Sequence, residues 1–113
     1  MVRAALIALL LLLQSCASAN KAFVLPETAP GGWRLTQTKH EGSKTLGVYD
    51  GAGLVHVEAE DMGVQAVAFE RVQRTRSQPD TIFFDKGNYF VTVRWEKADR
   101  DALRQLVREL QKK

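Results

Sequence analysis

Two stretches of the chain, LVHVEAE (Leu54 to Glu60) and NYFVTVRW (Asn88 to Trp95), alternate between two sets of side chains. A period of two places successive side chains on opposite sides of an extended strand. In the first stretch Val55, Val57 and Ala59 face one way, and His56, Glu58 and Glu60 the other. In the second, Tyr89, Val91, Val93 and Trp95 share a face opposite Phe90, Thr92 and Arg94. A slip of one residue would turn the valines outward, so each strand has a fixed register and needs a sheet and a covering layer. This requirement constrains the fold more than any other feature of the sequence.

The remaining elements follow from their punctuation. WRLTQTK reads as a first strand, with Trp33, Leu35 and Gln37 on one side, and TLGVYD as a second. HEGSK and DGAG are the turns between the early strands, and DKGN joins TIFF to the last strand through Gly87. Asp61 is placed to cap a helix over MGVQAVAFERVQRTR, with Met62, Ala66, Phe69 and Val72 on its apolar side. In DRDALRQLVRELQKK, Leu103, Leu106, Val107 and Leu110 recur at i, i+3, i+4 and i+7. Asp99 and Asp101 at its start, and the lysines at its end, suit the helix dipole. The order β-β-β-α-β-β-α predicts an α+β fold: an antiparallel sheet of about five strands with both helices packed on one face.

The beginning of the chain is of a different kind. Met1-Val2-Arg3 is followed by ten apolar residues, Ala4 to Leu13, and then by small and polar ones. This is the order of a secretory leader, and the apolar run is too short for the roughly 20 residues of a membrane-crossing helix. Two cleavage sites compete. LQSC (Leu13 to Cys16) resembles the bacterial lipobox, which makes residues 1–15 the signal peptide and Cys16 the lipidated first residue of the mature chain. ASA (Ala17 to Ala19) instead offers a site releasing a soluble chain from Asn20, with a signal peptide of residues 1–19. Cys16 is the only cysteine of the 113 residues, so no disulfide braces the fold. The lipobox resemblance, with Ala17 rather than aspartate after the cysteine, implies the outer membrane, facing the periplasm. Pro26, Pro30, Gly31 and Gly32 make residues 16–32 read as a flexible tether, leaving residues 33–113 as a single α+β domain.

Loss of Arg3 with the leader lowers the net charge from +3 to +2, with the signs interspersed. That balance selects no anionic partner, and nucleic acid binding conflicts with export. Three groups of side chains carry possible chemistry. His56, Glu58 and Glu60, on one strand face, are candidate ligands for a metal, although polar residues also belong on the solvent side of such a strand. Arg100, Arg104 and Arg108 form a row on the last helix that suits an anionic surface, and equally a solvated helix face. Phe83, Phe84, Tyr89, Phe90 and Trp95 lie on both faces of one hairpin, so a single helical layer leaves an aromatic face to a partner or to the tether. There is no nucleophile motif or phosphate-binding glycine loop, and no cofactor is implied; a hydrolase using His56 or His40 as base is the remaining enzymatic alternative.

GGW before the first strand, AF within the middle helix and F-x-x-G-x-Y-F-V across the hairpin (Phe84 to Val91) together resemble small exported bacterial domains of unknown function. The resemblance implies export from a bacterium and transfers no catalytic residue. The expectation is a cell-envelope lipoprotein, held in the membrane through Cys16, whose domain binds a protein partner or small ligand without catalysis. The alternative is a secreted or periplasmic soluble domain cleaved after Ala19, metal-binding or a small hydrolase.

Overall fold

The structure is a computed structural model, and it describes residues 23–112. Its strands are β1 (Thr28–Ala29), β2 (Trp33–Glu41), β3 (Lys44–Asp50), β4 (Leu54–Asp61), β5 (Thr81–Lys86) and β6 (Tyr89–Glu96). Its helices are α1 (Gln65–Arg74) and α2 (Arg100–Gln111). The strands form one antiparallel sheet in the order β1-β2-β3-β4-β6-β5. The fold is α+β, with six strands where about five were expected. The addition is β1, a two-residue strand inside the segment that reads as a tether.

One face of the sheet is closed. Val55, Val57, Ala59, Val91 and Val93, the inward residues of the two alternating stretches, are at most 1% exposed. The apolar side of α2 covers them with Leu103, Leu106 and Leu110 in a single cluster with Trp33. The Trp33 indole N–H donates to the Ala102 carbonyl at 2.7 Å, which ties β2 to the first turn of the helix. Asp99 caps that turn by accepting from the Ala102 N–H at 3.0 Å.

The rest of this face is covered by the chain before β1. Phe23 and Leu25 are buried on either side of exposed Val24, and both belong to the same cluster. The Tyr49 hydroxyl donates to the Pro26 carbonyl at 2.6 Å, and the Leu35 N–H donates to the Glu27 carbonyl at 2.8 Å. Gly47 gives Leu25 its place, because a Cβ there would lie 2.5 Å from Leu25 Cδ1. The domain therefore begins no later than Phe23, and the expected boundary at Trp33 is corrected. The prolines and glycines shape an extended cover, and the alternation of Phe23 and Leu25 supplies its apolar side.

The two helices lie on opposite faces, against the expectation of one shared layer. Both neighbouring pairs are antiparallel, so β4 and β5 run parallel with β6 between them, and α1 is the crossover that joins them. A crossover helix must lie over one face, and the large side chains of α2 fill the closed one. On the other face α1 seats Ala68, fully buried, near Phe90, itself 7% exposed and outside the main cluster. Phe90 stacks on Phe83 with ring centroids 5.7 Å apart, and the Arg71 guanidinium lies 5.3 Å from the Phe90 centroid.

Two local expectations also change. Asp61 ends β4 and accepts from the Gly63 N–H at 2.9 Å, while Val64 stands at the helix N-cap without a side-chain bond. Phe69, expected on the buried side, is 53% exposed, because the contact uses Ala68 and half-buried Val72. In β2 the register shifts between Leu35 and Gln37, so Gln37 turns to the face opposite Trp33 and Leu35.

Candidate functional site

Strand β4 presents His56, Glu58 and Glu60 half-buried on the open face, as its alternation requires. The neighbouring strands place a carboxylate beside His56 and an ammonium beside Glu58. His56 Nε2 lies 3.8 Å from Glu96 Oε2, and Lys44 Nζ lies 3.5 Å from Glu58 Oε1. Among the described residues no three His, Cys, Asp or Glu side chains are grouped to hold a metal ion. The three residues thus share a face without forming a ligand set of their own among the described residues.

The two histidines are separated as well. His40 pairs with Thr45, and Thr45 with Ala59, which places it on the closed side of the sheet; His56 pairs with Val48 on the open side. His40 Nδ1 makes a 3.4 Å contact with the Thr45 hydroxyl. No arrangement of this sheet lets the two imidazoles act on one substrate.

The part of the open face beyond α1 is a shallow concavity of about 430 Å³, lined by Leu46, Val48, His56, Glu58, Thr92 and Arg94 among others. Lys39 at its margin pairs with Glu41 at 2.6 Å. That hydrogen bond, with the attraction between the charges, raises the lysine pKa and lowers that of the glutamate. Both groups are exposed, so the pair adds little to stability.

A second hollow, of about 470 Å³, lies on the closed side of the sheet, where α2 passes over the outer strand β5. Its floor is apolar, made by half-buried Ile82, Trp95 and Val107 with Leu103. Arg100, Arg104 and Arg108 stand along its rim, all exposed. Their i, i+4 spacing puts them on one stripe of the helix, and it follows the edge of the floor. Arg104 Nη1 is 3.8 Å from Asp101 Oδ1, whereas Arg100 and Arg108 make no ion pair among the described residues.

Sequence reasoning found the three arginines but not the floor beside them. Its signal was faint: Val107 flanks the leucine stripe of α2, and Trp95 ends the inward row of β6. Cys16, and the leader as residues 1–15 or 1–19, lie outside the described residues. No helix among the described residues is long and apolar enough to cross a membrane. No family model matches the chain, nor does any curated protein or solved structure.

Proposed function

We propose that the chain is a bacterial envelope lipoprotein: a small non-enzymatic binding module held through acylated Cys16 at the outer membrane, facing the periplasm. One observation carries this reading. The only cysteine stands at the end of the apolar run of a leader, in LQSC, where a lipobox requires it. The position of buried Phe23 agrees, because it lies only seven residues beyond Cys16 in the sequence. Each buried methylene of an acyl chain contributes about 0.8 kcal/mol, so the several chains of a lipobox cysteine give stable anchoring. Resemblance to exported bacterial domains of unknown function points to the same compartment.

Fractionation of bacteria expressing the full chain, with and without Cys16→Ala, tests this reading. The native chain is expected with the outer membrane, and the variant is expected to leave that fraction. Recovery of the native chain in the soluble periplasm would instead support cleavage after Ala19.

A further inference from the structure

We infer that the arginine-rimmed hollow between α2 and β5 docks on the anionic lipid surface in which Cys16 is anchored. The inference rests on the lipoprotein reading for its geometry, and it names the partner of that module. Three observations converge on it.

The first is the chemistry of the hollow. Exposed arginines border a half-buried apolar floor that includes Trp95. Arginine can lay its methylenes along apolar surface while the guanidinium meets phosphate, and tryptophan favours the boundary between headgroups and acyl chains. The acidic residues of the same helix offset only part of this charge, and Arg100 and Arg108 stay outside any ion pair among the described residues. Asp101 is engaged with Arg104 at 3.8 Å, and Glu109 is held by Lys112 at 2.9 Å.

The second is where the described chain starts. The Lys86 ammonium donates to the Leu110 carbonyl at 3.0 Å and lies 5.3 Å from the centroid of the Phe23 ring. One side chain thus joins the start of the described chain to the last turn of α2, two residues beyond Arg108. The described chain begins beside the last turn of the helix that carries the arginines, on the covered side of the sheet.

The third is reach. Seven residues span at most about 25 Å when fully extended. The twelve residues of α2 are about 18 Å long. An anchor at Cys16 therefore keeps the whole arginine row close to the lipid surface. Docking becomes an intramolecular step, for which a short linker supplies an effective concentration on the order of millimolar. An attraction too weak to recruit a free protein then suffices to orient a tethered one.

The test uses the mature chain in vesicles of phosphatidylcholine alone, or of phosphatidylcholine with phosphatidylglycerol, with bromine on the upper acyl chains as quencher. Trp33 is 1% exposed and Trp95 is half-buried, so Trp95 carries the response. Docking predicts a blue shift and bromine quenching of Trp95 only with phosphatidylglycerol. Both effects should fade with added salt, because the screening length falls to about 3 Å at 1 M. The triple variant Arg100→Gln, Arg104→Gln, Arg108→Gln should weaken docking on the order of 100-fold, from roughly fivefold per arginine, and the triple lysine variant should retain most of it. The salt titration on the native chain makes the same test without substitution. Co-sedimentation with pure phosphatidylcholine reports the anchor separately from docking. If the chain stays in solution there, the lipoprotein reading fails, and the tethered docking argued from it fails with it. Identical Trp95 emission in both vesicle types would overturn the inference.

Discussion

Under α2 the central strands are covered by a helix with four buried residues and by a segment that inserts Phe23 and Leu25 beside it. Across the same strands, α1 shelters one end with Ala68 and leaves the rest open, with Lys44, His56, Glu58 and Glu96 in loose pairs. The difference shows where stability resides and where surface is left for function. Alternation gave β4 a valine side and a charged side, and the large residues of α2 closed the first. The open side sets Lys44 against Glu58 and His56 beside Glu96, whereas the closed side concentrates an arginine row at its rim.

Substitutions that separate the two faces should follow this order. Leu106→Ala, on the fully buried side of α2, should cost about 3 kcal/mol, whereas Phe69→Ser at an exposed position of α1 should stay within about 0.5 kcal/mol. Urea unfolding measures both, and equal effects would break the comparison. Next comes the segment before β1. Leu25→Ala should cost about 2 kcal/mol, near the low end for a buried leucine, because its site lies beside the helix and not under it. A true tether would show no change.

Tyr49 carries a smaller loss than either leucine. Replacing it with phenylalanine removes the bond to the Pro26 carbonyl and should cost about 1 kcal/mol near neutral pH. Burial raises the Tyr49 pKa above its ordinary value of 10.0, so the folded state holds the proton more tightly than the unfolded chain. The contribution is complete below pH 10 and declines as pH rises above it, while the unfolded phenol ionises. Unfolding midpoints of the native chain and Tyr49→Phe should therefore converge at alkaline pH, and a constant gap would show that Tyr49 ionises as it does unfolded.

What could be read from the residues alone divides along the same lines. Strands β4 and β6 and helix α2 were legible because each carries an unbroken period and a large apolar side. The cover strand was not, since a two-residue β1 between prolines and glycines has no period, and Phe23 and Leu25 make only one repeat. The bulge at Thr36 reverses Gln37 without any mark in WRLTQTK, because polar residues fit either face. Which face receives α1 depends on β6 lying between β4 and β5, a pairing between distant segments. The candidate site was half visible for the same reason. The arginine row lies within one helix, but Ile82 and Trp95 reach it from two other elements, and the ion pairs of His56 and Glu58 come from Glu96 and Lys44.

All of this gains a functional direction from one residue, Cys16, in the proposed lipobox. The most direct measurement is the intact mass of the mature chain isolated from a bacterial envelope. The account predicts a chain of residues 16–113 carrying a diacylglyceryl group on Cys16. An unmodified chain beginning at Asn20 would contradict it.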